Sequence, residues 1–352
     1  MNLLVFAGLS DEKLQSKLLP LIHLKKVKNI YLIRNNELRS PKVISIKSPR
    51  ILNFVGAREI MKFLMGVRAC RKKKIDLIIG IFLRPHSIYV YLLGKIFRKR
   101  VIYLLIGNDV DFIIKHSKIF SRFLNQAESI GVRGPRSMAR LKNISPHPKH
   151  YFIHHNVFSP EDNLHSDSHT TPLIPNIDIL TIGDFSRVKR IDIFLKVITA
   201  VKKTNPEIQA VMLGGGKQKP WYVFLKKKMG LNKNVQFLGI VPDVKPFLQK
   251  CRVFLLTSEA EGLPMVMIEA MTQGNACVVP DVGDITSIAE NNKNALVVSR
   301  LDVDGFVSGV KTILKDRKLA EHLGKNAIAT ITSKKREFSV EYNMQLWEKI
   351  LD

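Results

Sequence analysis

Thr257 to Gly283 reads TSEAEGLPMVMIEAMTQGNACVVPDVG, and this stretch organises the reading of the whole chain. Gly262, Leu263 and Pro264 form a turn between two acidic residues, Glu261 and Glu269. From Pro264 to Gln273 the spacing of Met267, Ala270 and Met271 predicts a short helix with those three on its buried side. Proline suits the first helical position, since its φ is already helical and its missing N–H would have no partner there. Gly274 ends the helix as a left-handed cap would. Apolar runs on either side, Val253–Leu256 and Ala276–Pro280, read as buried strands. The open helix N-terminus then falls at the carboxyl end of a strand, where open α/β sheets hold anions.

Outward from this stretch the same alternation of strand and helix recurs. Leu3–Ala7, Asn29–Ile33, Val43–Ile46, Asp76–Phe82, Arg100–Ile106, Ser129–Val132 and His150–Ile153 read as strands. Helices are expected over Lys13–Leu24, Arg58–Lys74, Ser87–Phe97, Ser121–Glu128 and Pro135–Leu141. Residues 158–176, rich in Pro, Ser, Asp, Asn and His, read as a linker. The pattern then resumes with strands Asp178–Ile182, Gln209–Leu213, Val235–Leu238 and Ala295–Val298, and with helices Ile191–Lys203, Trp221–Met229, Val244–Lys250, Asp302–Leu314 and Leu319–Ile331. This predicts an α/β protein of two doubly wound parallel sheets, over 1–157 and 177–336. A last amphipathic helix, within 337–352 and carrying Trp347, is expected to pack back toward the first domain.

Composition narrows the partners. The 352 residues are 45% hydrophobic, which excludes a disordered chain, and carry a net charge of +26. Residues 1–150 hold 30 Lys and Arg against 8 Asp and Glu, so the charge lies almost wholly in the first half. Such a field attracts nucleic acid, anionic lipid or a polyanionic substrate. Three scattered cysteines, Cys70, Cys251 and Cys277, fit neither a disulfide framework nor a zinc site and point to a reducing cytoplasm. MNLLVFAG reads as a first strand and not as a signal peptide. Within Arg58–Lys74, Ile60, Phe63, Leu64, Val67 and Cys70 share one face and Arg and Lys the other. That helix reads either as an ordinary sheet-packed helix with a solvated basic face or as a basic amphipathic helix resting on anionic headgroups.

The flanks of Glu261 and Glu269 resemble the donor-site signature of the retaining GT-B glycosyltransferases grouped as family 4, the glycosyl transferases group 1. ILTIGDFSRVKRIDIFLKVI (179–198), VMLGGGK (211–217) and LNKNVQFLGIVPDVKPFLQKCRVFLLTS (231–258) resemble the segments that precede it. The resemblance implies two Rossmann-like domains facing a central cleft, and transfer of a sugar from a UDP- or GDP-sugar without a metal or other cofactor. It implies that Glu261 lies beside the sugar and that Glu269 holds the ribose. Lys189 and Arg187 would neutralise the leaving diphosphate, helped by the N–H groups of Gly262, Leu263, Met265 and Val266, while Pro264, which has none, shapes the turn that presents them. Gly183, Gly214 and Gly215 would allow close backbone approach, while Leu238, Gly239 and Val241 line the base pocket. On the acceptor side Gly8, His86 and Asp109 match more faintly.

Two positions depart from the family's pattern. Asp184 follows Gly183 where a cation is usual, and Ile106 stands where a histidine precedes Gly107 and Asp109. The expected function is hexosyl transfer to a lipid-linked or saccharide acceptor in cell-surface polysaccharide or lipopolysaccharide assembly. The enzyme is expected in the cytoplasm, peripheral on the inner face of an anionic membrane. The rival readings are a nucleotide-sugar epimerase, a basic nucleic-acid or anionic-surface binding protein, and a catalytically silent relative. No nucleic-acid recognition motif accompanies the basic half.

Overall fold

A computed structural model describes residues 1–47, 55–81, 86–107, 109–157 and 176–352. The chain divides into two units, Met1–Phe158 with Arg336–Asp352, and Ser159–Lys335. All but the last residue of the expected linker falls outside the described residues, as do Phe82 and Asn108.

The first unit runs β1 (Asn2–Ala7), α1 (Asp11–His23), β2 (Asn29–Arg34), β3 (Val43–Lys47), α2 (Val55–Lys72), β4 (Leu77–Ile81), α3 (His86–Phe97), β5 (Arg100–Leu104), α4 (Asp109–Lys115), α5 (Ser117–Leu124), β6 (Ser129–Val132), α6 (Pro135–Lys142) and β7 (His150–Ile153). Its sheet is parallel, in the order β3-β2-β1-β4-β5-β6-β7. The order reverses between β1 and β4, and a doubly wound sheet opens a crevice at such a point. Strand residues alternate between two cores. Leu4 and Phe6 enter one with residues of α2 to α6. Leu3, Val5 and Ala7 enter the other, with α1 and Trp347.

The second unit runs β8 (Ile177–Ile182), α7 (Ile191–Lys202), β9 (Ala210–Leu213), α8 (Lys219–Lys228), β10 (Val235–Gly239), α9 (Lys245–Lys250), β11 (Cys251–Leu255), α10 (Met265–Thr272), β12 (Ala276–Pro280), β13 (Leu296–Val298), α11 (Val303–Lys315) and α12 (Arg317–Lys334). Its sheet is also parallel, β10-β9-β8-β11-β12-β13, and reverses between β8 and β11. The chain then returns to the first unit as α13 (Val340–Leu351). Ser339 caps α13 by accepting the Tyr342 N–H at 3.1 Å. Trp347 packs edge-on to Phe152, and Lys26 and Arg100 bind the helix's last carbonyls.

Several expectations are corrected. Pro264 is the N-cap of α10, with extended backbone (φ −74°, ψ 119°), and not its first helical residue. Its carbonyl still accepts the Met267 N–H, so the turn feeds directly into the helix. The helix expected at Ser121–Glu128 is displaced to Ser117–Leu124, and a further helix, Asp109–Lys115, precedes it. Asp109 starts that helix by accepting the Ile106 N–H, a polar signal that apolar periodicity does not carry. The face of α2 is also rotated: Gly66, Ala69 and Lys62 are buried, while Ile60 and Leu64 are exposed. A Cβ on Gly66 would lie 2.6 Å from Leu93 Cδ1, so close approach of α3 selects the small residues as the inner face.

Candidate active site

The candidate centre forms where the second sheet reverses. After β8 the chain passes Gly183 and Asp184 into a 3-10 turn, Arg187–Lys189. Arg190 follows with left-handed backbone (φ 48°) and starts α7. This turn is tied to the loop after β11. The Thr257 hydroxyl donates to the carbonyls of Lys189 (3.2 Å) and Arg190 (3.1 Å), and the Glu259 N–H donates to the Val188 carbonyl (2.7 Å). Arg300 also pairs with the Glu259 carboxylate at 2.7 Å. The result is a contact between two of the residues picked out above: Lys189 Nζ donates to Glu261 Oε1 at 2.6 Å. Both side chains are mostly buried, at 21% and 10% exposure.

Backbone close approach builds the walls. A Cβ on Gly214 (φ +135°) would lie 1.8 Å from the Gly183 carbonyl oxygen, and the Gly214 N–H donates to the Gly239 carbonyl at 2.7 Å. The three glycine-bearing strand ends thus lie side by side, and at Gly214 only glycine permits that spacing. A Cβ on Gly215 would meet Ile240 Cδ1 at 3.0 Å. Ile240 and Leu238 are exposed and Val241 is half-buried, so this rim presents apolar side chains over main-chain groups.

On the other flank Gly283 (φ +55°) lies against the Glu261 turn. A Cβ there would lie 1.9 Å from the Glu261 carbonyl oxygen, and the Asp284 N–H donates to the Gly262 carbonyl at 2.9 Å. Gly262, Leu263 and Pro264 are buried, whereas Met265, Val266 and Glu269 are half-buried on α10. The C-terminus of α10 closes as expected: Gly274 is left-handed (φ 74°), its N–H donates to Met271 O and the Asn275 N–H to Ala270 O. Asp184 and Arg187 are exposed, and the Asp184 carboxylate accepts the Ser186 hydroxyl at 3.0 Å. Thr257, Glu259, Gly283 and Asp284, which bind the loops together, were not singled out from the sequence. Gly283 and Asp284, just after a buried strand, were the available signal.

At the reversal of the first sheet, Gly8 and His86 come together. A Cβ on Gly8 would lie 3.4 Å from His86 Cε1. His86 is buried, and neither ring nitrogen has a hydrogen-bond partner among the described residues. Burial and then the nearby Lys62 ammonium lower its pKa to about 4, against the opposing influence of Glu59 and the Ile81 carbonyl. Beside it Glu59 accepts from Lys62 (2.8 Å) and from the Tyr89 hydroxyl (3.0 Å). Asp109 is spent on the Ile106 N–H and also acts electrostatically on Lys17. Lys17 in turn lies 3.4 Å from His154 Nδ1, a buried pair in which desolvation holds both pKa values well below the usual ones. Burial raises the Cys70 thiol to about 11 and the Cys251 thiol to about 12, so neither is a thiolate at neutral pH.

Two parallel doubly wound sheets, with chemistry-bearing residues at the reversal points, place the chain in the GT-B fold class. A crystal structure of Anabaena HepE in complex with UDP-glucose matches over 99% of each chain, with a TM-score of 0.77 at 17% identity. Residues 172–330 match the model of the family Glycosyl transferases group 1, so the second unit carries a domain of that family. Among curated relatives, a lipopolysaccharide core biosynthesis glycosyltransferase of Rhizobium meliloti is 27% identical over 48% of each chain. An N,N'-diacetylbacillosaminyl-diphospho-undecaprenol alpha-1,3-N-acetylgalactosaminyltransferase of Campylobacter jejuni is 27% identical over 40% of this chain and 37% of its own. The chain spans half or less of the length of the curated relatives it matches.

Proposed function

We propose that this protein is a retaining glycosyltransferase of the family 4 type, moving a hexose from a nucleoside-diphosphate sugar to an acceptor hydroxyl. The observation that carries the reading is the Lys189–Glu261 contact at the sheet reversal, within the family-matched segment. In the reaction the bond from the anomeric carbon to the diphosphate breaks and its electron pair leaves with the diphosphate. Lys189 and Arg187 neutralise that charge, and the first N–H groups of α10 add a dipole contribution of about 0.3–2 kcal/mol. Glu261 faces the sugar, Glu269 accepts the ribose hydroxyls, and the base lies along Leu238 to Val241. The acceptor oxygen attacks from the face the diphosphate leaves, and its proton passes to a diphosphate oxygen. This scheme uses no metal.

The acceptor reading rests on the named relatives and on the charge of the first half. A lipid-linked or membrane-associated glycan, met at the inner face of an anionic membrane during cell-surface polysaccharide assembly, fits both. Gly8 and His86 mark its approach. The test is proton NMR of the product formed from a nucleotide sugar and a lipid-diphosphate-linked acceptor. The expected product keeps the donor's anomeric configuration. An inverted product would overturn the retaining assignment, and release of nucleoside diphosphate without a glycosidic product would overturn transfer.

A further inference from the structure

The helices α2, α3 and α5 share one core on one side of the first sheet, so their outer faces form one surface. Ala69 and Cys70 of α2, Val90 and Leu93 of α3, and Phe120 and Leu124 of α5 all enter that core. Phe63 contacts Tyr89, and Tyr91 meets Phe123 edge-on with ring centroids 4.7 Å apart, so the three helices are direct neighbours. Their outward positions are unusual for a solvated layer. Ile60 (63% exposed) and Leu64 follow helical spacing on α2, Ile88, Leu92 and Ile96 (59%) on α3, and Ile119 (61%) adds a point on α5. Arg68, Arg71, Lys95, Lys118 and Arg122 are exposed on the same helices. A groove lined by Tyr91, Lys95, Lys99 and Phe123 lies between α3 and α5.

Acidic residues do not offset this charge. Between residues 60 and 108 the chain has one, Asp76, whose carboxylate accepts the Asn2 N–H at 2.7 Å. Glu59 is engaged by Lys62 and Tyr89, Asp111 by Arg140 and Glu128 by Arg100. Branched aliphatic side chains have nothing to recognise on a phosphodiester backbone, whereas the boundary between headgroups and acyl chains accepts them. Arginine and lysine around them match anionic headgroups. No helix of the described residues is long and apolar enough to cross a membrane.

We propose that the outer face of α2, α3 and α5 docks on an anionic bilayer. The aliphatic side chains enter the interface, and the flanking Arg and Lys hold lipid phosphates. The proposed lipid-linked acceptor gives this surface a purpose, but the surface is argued from its own residues and does not depend on the reaction.

The experiment is co-sedimentation of the full chain with vesicles of phosphatidylcholine alone and of phosphatidylcholine with phosphatidylglycerol, at low and high salt. Three variants are compared: Ile60→Gln/Leu64→Gln/Ile96→Gln, Arg68→Glu/Arg71→Glu, and a control on α8, Trp221→Ser/Phe224→Ser. Trp221 and Phe224 are also exposed, which makes α8 the competing apolar surface. Wild type is expected to bind the anionic vesicles and to be released by salt. Each of the first two variants should lower partitioning by about tenfold or more, and the α8 variant should leave it unchanged. Unaltered melting curves, and an unaltered melting shift on adding UDP, would show that the variants fold. Equal binding to neutral vesicles, wild-type binding by the aliphatic variant, or a loss confined to the α8 variant would overturn the proposal. Salt-sensitive binding to duplex DNA that the aliphatic variant retains, without vesicle binding, would assign the surface to nucleic acid instead. Failure of UDP to bind, with vesicle binding intact, would refute the donor site alone.

Discussion

Lys189 and Glu261 are 72 positions apart in sequence and 2.6 Å apart in the fold. A cation meant only for solvent would not be held this way between two loops tied by Thr257 and Glu259. Lys189→Met should lower kcat/KM for transfer by about 100-fold or more, since it removes charge stabilisation from the leaving group. Its cost in folding stability should be only about 1–3 kcal/mol. Steady-state kinetics on the folded variant and denaturant titration check the two figures, and loss of stability with kcat/KM within about threefold of wild type would make the contact structural. His86 makes a pH prediction. In the unfolded chain its pKa is 6.5 and in the fold about 4. As pH falls through that interval the unfolded state takes up a proton that the folded state refuses. Stability present above pH 6.5 is therefore lost on the way down to about pH 4, to the extent of about 3 kcal/mol for this residue. His154, also depressed by burial, steepens the same limb. Urea melts across this range should show a flatter profile for His86→Phe than for wild type, and parallel profiles would refute the assignment.

At the scale of the element, glycines fix what the strands can bring together. Gly283→Ala places a methyl group against the Glu261 carbonyl in a left-handed backbone and should cost about 2–4 kcal/mol. Gly230→Ala has the same backbone sign (φ +67°) but open space around the Cβ, so it should cost only about 1–2 kcal/mol. Thermal unfolding of the pair measures the difference, and KM for the donor should rise for the first variant only. The contrast also shows what could be read from the chain alone. The helix at Met265, its left-handed stop at Gly274 and the strands around it follow from local turn chemistry and apolar runs. The bracing of the Glu261 turn by Gly283 does not, because it is a contact between loops with no period of its own. The same limit explains α2. Apolar periodicity puts Ile60 and Leu64 on one face with Phe63, Val67 and Cys70, whereas tight packing of Gly66 on Leu93 turns those two outward. Periodicity finds an apolar face but cannot tell it from a face made of small residues.

At the scale of the molecule, the chain leaves its second unit and closes the first with α13. Trp347 is buried among Leu, Ile and Phe152 of the core beneath α1. Trp347→Ala should therefore destabilise the first unit by about 3–5 kcal/mol and leave nucleotide binding by the second unaffected, as calorimetric unfolding with and without UDP would register. Two sheets were legible because buried parallel strands are near-continuous apolar runs. The proposed donor side was legible because one segment carries its turn, acids and helix. The proposed acceptor side was fainter, since Gly8 and His86 are far apart in sequence and only the fold brings them together. The reversal point of the second sheet is proposed to bind the nucleoside diphosphate of a sugar donor. Isothermal titration of UDP and GDP into wild type, Lys189→Met and Glu269→Ala tests it most directly. Saturable binding of one nucleotide to wild type is expected, weakened by about tenfold or more in each variant. Binding that both variants retain at wild-type strength would contradict it.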